Sequence, residues 1–263
     1  MVEQRRPFGG DRVDQALVAL VAAVDSPQVL DVGGGSGTRA VPLALGGCRV
    51  TVVDTSVDAL AILRRRAKDA DVAERVAGIQ ADAELLATVV PTGAADLVLC
   101  HHLLEEVDDP AAVIAALASA VRPGGYVSVL TAGRLGAVLG QTLVGRFAQA
   151  LTVLTDPDGR YGAPDPLRRR YDASALGDLL GAAGLTVESV TGVGVLAGLV
   201  SGAGRPAIPG GDGELARLEA AAAAHPALRE IAADLHVVAR RPAARPLQHA
   251  RLTGTVDQAR HGR

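Results

Sequence analysis

The stretch VLDVGGGSGTRAVPLA, residues 29–44, decides the fold of this chain. It begins as an apolar run of strand character, passes through a cluster of glycines and ends in a segment typical of a helix. Glycine has no Cβ, so the backbone can turn tightly there and approach a ligand closely. A strand, a glycine-rich turn and a helix in this order predict the start of a parallel sheet that holds a ligand at its first turn.

The alternation of apolar runs and helical segments continues along the chain. Strands are predicted at 28–32, 49–53, 76–80, 96–100, 126–131, 185–193 and 234–239, and helices at 12–24, 37–46, 57–69, 83–89, 110–121, 173–183 and 214–224. The RPGG sequence at 122–125 is predicted to end a helix and turn the chain into a strand. Residues 133–175 interrupt the rhythm and are interpreted as an insertion over the sheet's edge. The pattern predicts an α/β, Rossmann-like doubly wound sheet.

The composition is that of a globular protein with few aromatic side chains. The chain has 263 residues, of which 49% are hydrophobic and 21% charged, enough to bury a sizeable core. Aromatic residues make up only 2%, which disfavours modules that stack single-stranded bases. Cys48 and Cys100 offer neither a disulfide framework nor metal-ligand spacing, so we expect a cytoplasmic protein without a metal site. No apolar run reaches the length of a membrane-spanning helix, and we expect no membrane partner.

Positive charge concentrates at the end of the chain. The net charge is −3, yet residues 240–263 contain six arginines and one aspartate. We expect residues 242–263 to form a disordered basic tail surrounded by solvent. The alternative is contact with RNA or another anionic surface through charge alone.

Three carboxylates lie at the predicted strand ends around the glycines. Asp31, Asp54 and Asp82 end the first, second and third strands. Because the carboxyl ends of parallel strands meet at one edge of a sheet, we expect them to surround one ligand. Asp31 would repel a pyrophosphate but suits an ammonium or sulfonium group. Asp54 can accept both hydroxyls of a ribose, and Asp82 can accept an adenine amino group or cap the next helix.

Neither of the common phosphate-binding fingerprints fits the glycine cluster. A phosphate loop needs Lys and Ser or Thr after the glycines, where this chain has Thr38 and Arg39. The dinucleotide fingerprint needs a third glycine or alanine at the position of Thr38. The carboxylates therefore indicate an adenosyl ligand with cationic character, and a nicotinamide-dependent oxidoreductase remains the alternative.

Five successive motifs resemble those of class I S-adenosylmethionine-dependent methyltransferases: LDVGGGSG, VTVVDTS, QADAE, ADLVLCHHLLEEVDDP and VRPGG. The resemblance covers residues 12–241. It implies a methyltransferase domain at 1–241, S-adenosylmethionine as cofactor, and a seven-stranded sheet whose last strand is antiparallel. The predicted cofactor-binding residues are Arg12, Asp31, Gly33, Gly34, Gly35, Gly37, Asp54, Thr55, Asp82, Ala83, Glu84 and His101.

A narrower resemblance concerns the tRNA 5-carboxymethoxyuridine methyltransferases, which methylate the carboxylate of a modified wobble uridine. It rests on CHHLLEEVDDP, DPDGRYGAPDPLRRRYDASAL, GLTVESVTGVGVLAGLV and LHVVARRP. It implies that Arg12 holds the cofactor carboxylate, that Ala83 and Glu84 flank the adenine and that His101 lines the cofactor site.

This chain departs from the pattern of that tRNA-modifying family at two positions. Gly194 and Leu235 stand where the family has Arg and Tyr. The acceptor is therefore expected to be an anionic small molecule or a modified tRNA nucleotide, with a small-molecule O- or N-methyltransferase as the alternative. A cofactor-binding protein without catalysis is a third interpretation. The sequence does not define an oligomeric state.

Histidines are the candidates for acid–base chemistry. Methyl transfer from a sulfonium is an in-line displacement in which alignment supplies much of the rate. A carboxylate acceptor needs no base, whereas a hydroxyl or amine acceptor can use one. His101, His102 and His236 are available. We expect His102 to face the other side of its loop, which leaves His101 and His236 as catalytic candidates, although His236 also fits a core position.

Charged residues of the insertion and of the loop before it have two interpretations each. Arg168, Arg169, Arg170 and Tyr171, together with His236, are predicted to bind an anionic substrate, and a solvated face is the alternative for the arginines. The acidic residues at 105–109 precede Pro110 and are interpreted as the start of a helix rather than a metal site.

Overall fold

The computed structural model describes residues 12–200 and 211–243. The strands are β1 (Gln28–Val32), β2 (Arg49–Asp54), β3 (Val76–Gln80), β4 (Ala95–His101), β5 (Val121–Ala132), β6 (Thr186–Val193) and β7 (Asp234–Arg240). The helices are α1 (Arg12–Val21), α2 (Ala40–Leu45), α3 (Val57–Asp69), α4 (Leu86–Val89), α5 (Pro110–Ala120), α6 (Arg134–Leu143), α7 (Phe147–Thr155), α8 (Ala173–Ala182), α9 (Ala197–Val200) and α10 (Gly211–Ala224).

The strands form one seven-stranded sheet in the order β3-β2-β1-β4-β5-β7-β6. The strands β1 to β5 pair in parallel, whereas β7 is antiparallel to both β5 and β6. The sheet order reverses beside β1, so the carboxyl ends of β1 and β4 border the crevice where such sheets bind ligands. The predicted doubly wound sheet with an antiparallel last strand is confirmed.

The sheet separates two hydrophobic layers. One layer packs the alternate side chains of β1 and β4, such as Leu30 and Val98, against α5 and α8. The other packs their neighbours, such as Val29 and Leu97, against α1, α2 and α3. Alternation along a strand places successive side chains on opposite faces, which is why these strands are apolar throughout.

Three predicted helix boundaries were wrong at the glycine turn and its surroundings. The helix expected at 37–46 begins at Ala40, because Gly37 has a positive φ of 79° that an α-helix does not accommodate. The helix expected at 12–24 ends at Val21. The helix expected at 83–89 consists of a 3₁₀ turn at Ala83–Leu85 followed by α4.

The RPGG sequence forms an irregularity inside β5 rather than a turn before it. Ala95 of β4 pairs with Val121, whereas Leu97 pairs with Tyr126, so residues 122–125 bulge out of the ladder. Gly124 has a φ of 81° within this bulge. These residues do form an irregular, turn-like segment as predicted. The prediction was wrong in placing that segment before the strand.

The insertion at 133–175 contains α6 and α7, which were not predicted. Its two ends lie side by side, because Gly133 and Tyr171 form a parallel bridge. Several large apolar side chains of α6 and α7 are exposed, among them Phe147 and Leu151. An exposed apolar surface of this kind blurs the apolar periodicity by which amphipathic helices are predicted.

Most of the predicted basic tail at 242–263 lies outside the described residues, which end at 243. In the described part of the chain, no helix combines the length and apolar character needed to cross a bilayer.

Candidate functional site

The glycine turn between β1 and α2 is held by the neighbouring strand. Gly33, Gly35 and Gly37 all have positive φ angles, of 76°, 53° and 79°. The Gly33 N–H donates to the carbonyl of Val53 at 2.8 Å. A Cβ on Gly37 would overlap the side chain of Leu63, so glycine is required there for conformation and for space. The turn therefore lies over the carboxyl ends of β1 and β2.

Asp31 is a buried carboxyl group directly beneath this turn. Its exposure is 2%, and its Oδ2 atom has no hydrogen-bond partner among the described residues. A Cβ on Gly34 would overlap the Asp31 carboxyl group, so the backbone passes directly over it. Burial, together with the nearby charge of Asp54, raises the pKa of Asp31 to about 7. A buried carboxylate without a partner fits a cationic hydrogen-bond donor supplied by a ligand.

Asp54 connects the end of β2 to the glycine turn. The Gly35 N–H donates to Asp54 Oδ2 at 2.8 Å, and the Ser56 N–H donates to Oδ1 at 2.8 Å. The N-cap of α3 is Ser56, whose hydroxyl accepts from the Ala59 N–H at 3.1 Å. The carboxylate of Asp54 is therefore not required for capping, and it retains lone pairs for a ligand.

The third strand contributes a capped turn. Asp82 caps the 3₁₀ turn that follows β3, because its Oδ1 accepts from the Glu84 N–H at 2.9 Å. Glu84 Oε1 accepts from the Asp109 N–H at 3.2 Å, which ties this turn to the start of α5. Ala83 is buried, whereas Asp82 and Glu84 are exposed. Capping explains Asp82 without a ligand, as the sequence had left open.

Arg12 and Thr55 are less constrained by the structure. Arg12 is the exposed first residue of α1, and Thr55 is exposed after β2. One of the basic residues close to the turn, Arg39, forms an ion pair with Asp14 of α1. This pair joins α1 to the start of α2.

His101 and His236 meet at a shared serine hydroxyl. His101 Nε2 lies 2.9 Å from Ser128 Oγ, and His236 Nε2 lies 2.8 Å from the same oxygen. Burial lowers the pKa of His101 well below its ordinary value, and His236 lowers it further. His101 Nδ1 is buried without a hydrogen-bond partner among the described residues. His236 is buried in the middle of β7, which matches its core interpretation.

His102 belongs to a different cluster from His101. It has a φ of 55°, and its N–H donates to the Leu130 carbonyl at 2.7 Å. Its Nδ1 lies 3.1 Å from Oε1 of Glu105, which also accepts from the Ala132 N–H at 2.7 Å. Glu105 is 1% exposed, whereas half of the His102 side chain is accessible. A buried carboxylate thus orients an accessible imidazole.

The three consecutive arginines of the insertion all have protein partners. Arg168 forms an ion pair with Asp108. Arg169 donates to the carbonyls of Leu104 and Asp108 at 3.4 and 3.3 Å. These contacts attach the insertion to the loop after β4.

Arg170 and Tyr171 are also occupied within the protein. Arg170 pairs with Asp165 through two hydrogen bonds of 2.6 and 3.0 Å, and both side chains are buried. The Tyr171 hydroxyl donates to the Leu104 carbonyl at 3.2 Å. The predicted group of Arg168, Arg169, Arg170 and Tyr171 therefore does not converge on one open cavity.

Residues 1–190 match a family model described as a methyltransferase domain. This chain belongs to the methyltransferase family. The strand order, the antiparallel β7 and the glycine turn fit that family, and its methyl donor is S-adenosylmethionine. The unpartnered Oδ2 of Asp31 beneath the turn fits a cofactor that carries an ammonium group. A nicotinamide-dependent oxidoreductase is not supported.

Curated relatives of this methyltransferase carry the name ubiquinone biosynthesis O-methyltransferase. The protein of Cupriavidus pinatubonensis is 36% identical over 114 residues, which are 43% of this chain and 45% of that protein. The protein of Azotobacter vinelandii is 34% identical over 166 residues, 63% of this chain and 67% of that protein. The chain thus spans less than half of the first relative and about two thirds of the second.

A solved structure agrees with the fold of the methyltransferase. It is an S-adenosylmethionine-dependent methyltransferase from Mesorhizobium loti with a TM-score of 0.58 and 19% identity. The similarity covers 89% of this chain and 100% of that one. At this identity the likeness concerns the fold alone.

The two departures from the tRNA-modifying pattern have structural counterparts in this methyltransferase. Gly194 has a φ of 69°, which favours glycine over arginine at the end of β6. Leu235 is fully buried in the hydrophobic layer that contains α5 and α8. Neither position offers a polar side chain to an acceptor.

The pairing of His102 with Glu105 was not predicted. The sequence assigned Glu105 to an acidic helix start, but the N-cap of α5 is Asp109, which accepts from the Ala112 N–H at 3.0 Å. The His-x-x-Glu spacing at 102–105 was the available signal, although a loop does not fix which side chains meet. In the described part of the chain, no group of three His, Cys, Asp or Glu residues could hold a metal ion.

Proposed function

We propose that this methyltransferase transfers a methyl group from S-adenosylmethionine to a hydroxyl oxygen of a small molecule. The observation that carries the proposal is the similarity to O-methyltransferases of ubiquinone biosynthesis, at 34% identity over 166 residues for the Azotobacter vinelandii protein. This acceptor class agrees with the alternative drawn from the sequence rather than with a tRNA carboxylate.

The cofactor is assigned to the glycine turn and the carboxylates beside it. Asp31 receives the ammonium group, and Asp54 receives the ribose hydroxyls. The turn at Asp82, Ala83 and Glu84 borders the adenine. S-adenosylmethionine, when bound, supplies a methyl group that its sulfonium makes electrophilic. The task of the protein is then to align the acceptor and to manage its proton.

The acceptor-side residues support a small molecule more than an RNA anion. Arg168, Arg169 and Arg170 are engaged by carboxylates and carbonyls of the protein itself. Gly194 and Leu235 supply no group for a carboxylate. Aromatic side chains, on which RNA bases commonly stack, make up only 2% of the chain.

Methyl-labelled S-adenosylmethionine tests the proposal in one assay. The purified protein is incubated with a cell extract separated into small RNA and low-mass metabolites, and with a panel of phenols and catechols. We expect label among the metabolites and in at least one hydroxyl compound, in a form that resists mild base. The matched control is Asp31→Asn, in which the proposed cofactor contact is lost.

The other results would each point elsewhere. Base-labile label in the RNA fraction would indicate a methyl ester and favour the wobble-uridine acceptor. Binding of S-adenosylhomocysteine with no label in any fraction would favour a non-catalytic cofactor-binding protein.

A further inference from the structure

The backbone bends at His102, directly after β4 and directly before a residue that contacts the glycine turn. The positive φ of His102, at 55°, is rare for a residue with a side chain and is held by the 2.7 Å hydrogen bond to Leu130. The following residue, Leu103, contacts the turn, since a Cβ on Gly33 would lie 3.2 Å from its Cδ1. The bend therefore places the residue after His102 against the turn of the proposed cofactor site, and His102 itself lies close enough to Arg39, two residues after Gly37, to sense its charge.

Glu105 fixes one nitrogen of this imidazole. Its carboxylate is 1% exposed and is itself held by the Ala132 N–H at 2.7 Å. When His102 Nδ1 carries a proton, it donates to Glu105 Oε1 over 3.1 Å. Nε2 is then the basic nitrogen, and no hydrogen bond to it from a described residue is present. An imidazole that is oriented by a carboxylate in this way is suited to act as a general base.

We propose that His102 is the general base of the methyl transfer and that Glu105 is its positioning residue. This inference rests on the proposed function, because only an acceptor that carries a proton needs a base. The acceptor hydroxyl gives its proton to His102 Nε2, its oxygen forms the new bond to the methyl carbon, and the S–CH₃ bond breaks. The sulfonium charge disappears as the imidazolium forms, so charge is conserved, and Glu105 stabilises the imidazolium.

His101 and His236 are poorer candidates for this role. Both direct Nε2 to Ser128 Oγ, and His236 is 3% exposed within β7. His102 alone among the three has a side chain that is half accessible. The structure places His102 and His101 in separate clusters, as the sequence analysis expected, because His102 hydrogen-bonds to Glu105 whereas His101 hydrogen-bonds to Ser128.

The charges around His102 favour its protonated form. The hydrogen bond that His102 donates to Glu105 raises the pKa of His102, burial and Arg39 lower it, and Asp234 raises it, with a net increase over the ordinary value. His101 is the other titratable neighbour. A base must start neutral, so the rate rises with pH through the pKa of His102 and levels off above it.

The first test measures turnover in His102→Asn against the wild type. Asparagine tolerates a positive φ, so the bend is retained while the base is removed. With a phenol that is protonated at the assay pH, we expect kcat to fall about 100-fold or more and the pH dependence to disappear. With a nitro-substituted catechol that is already ionised, we expect kcat to stay within about threefold of the wild type. The exposed His225→Gln is the matched control.

The second test adds a measurement that does not require turnover. We expect Asp234→Asn to lower the pKa of His102, which NMR titration of the ring protons measures directly. The pH–rate profile of the phenol should move to lower pH by the same amount. S-adenosylhomocysteine should bind the wild type and His102→Asn with equal affinity.

Three results would overturn the inference. Equal kcat of wild type and His102→Asn on the protonated phenol would exclude His102 as the base while leaving the hydroxyl acceptor in place. An equal loss of kcat on protonated and ionised acceptors would indicate a purely structural role. Failure of the wild type to methylate any hydroxyl compound would remove the proposed function, and the base with it.

Discussion

Asp31, which we propose binds the cofactor, is also expected to lower the stability of the folded chain. Its carboxyl group is buried beneath the glycine turn with Oδ2 unpartnered, and burial with Asp54 nearby raises its pKa from an ordinary 3.8 to about 7. The unfolded chain ionises this group more readily than the folded one. The contribution of Asp31 to folding therefore becomes less favourable as the pH rises from about 4 to about 7, and is constant above that range.

Replacement of Asp31 by Asn should separate these two effects. Without cofactor at pH 8 we expect the variant to be more stable than the wild type by a few kcal/mol, since the pKa difference corresponds to at most roughly 4 kcal/mol. This gain should shrink towards pH 4. Urea unfolding at several pH values measures it. If the stability difference between Asp31→Asn and the wild type were the same at pH 8 and at pH 4, ionisation of Asp31 would not destabilise the folded protein.

The same variant should bind S-adenosylhomocysteine at least about tenfold more weakly, because a charged hydrogen bond is lost. In the wild type, affinity should decrease as the pH falls below 7 and Asp31 becomes protonated. Calorimetric titration at pH 6 and pH 8 measures both effects. Unchanged affinity in Asp31→Asn would argue against the assignment of this carboxylate to the cofactor.

Candidate site residues that lie at the end of a predicted strand could be located from the sequence. The glycine turn follows β1 directly, Asp31 lies within the last residues of β1 and Asp54 ends β2, so their position needs only the strand assignment. The His102–Glu105 pair could not be predicted, because it depends on a backbone bend. The partners of Arg168 and Arg170 could not be predicted either, because they depend on how the insertion folds back.

At the scale of elements, α6 was not predicted from the sequence, and its position depends on close packing against the turn before β7. A Cβ added to Gly136 of α6 would overlap the carbonyl of Ala232, in the turn before β7. Nearly a hundred residues of sequence separate these two positions, so no local pattern links them. By contrast, a Cβ on Gly140, one helical turn later, would meet nothing within 4 Å.

Gly136→Ala and Gly140→Ala therefore form a matched pair. We expect Gly136→Ala to destabilise the protein by about 1–3 kcal/mol, because the helix must move away from the turn. Gly140→Ala should be neutral or stabilising by up to about 1 kcal/mol, because alanine is the better helix former. Urea unfolding of both variants measures the difference. Equal stability of the two would show that α6 does not pack on Ala232 in solution.

At the scale of the whole molecule, the seven strands found in the described residues lie within 28–240. A chain shortened to residues 1–243 retains every strand of the described residues and every proposed cofactor residue. We expect it to bind S-adenosylhomocysteine with the affinity of the full chain and to methylate a small acceptor at an unchanged rate. The comparison of full and shortened chains in the labelling assay tests this.

The shortened chain also addresses the basic segment, which contains four of the six arginines found at 240–263. If small-molecule turnover were lost with residues 244–263, this segment would have to take part in the site. If only labelling of RNA were lost, the charge of the segment would serve an RNA acceptor.

The position of β7 has a consequence for synthesis of the protein. β7 lies between β5 and β6 but follows both in the chain. During translation β5 leaves the ribosome about a hundred residues before its partner, a delay of roughly 5–20 s at ordinary elongation rates. Until Asp234–Arg240 emerges, the nascent chain presents unpaired strand edges on both β5 and β6. A chaperone that shields those edges would act in this interval, and final closure of the sheet waits for almost the last described residues of the chain.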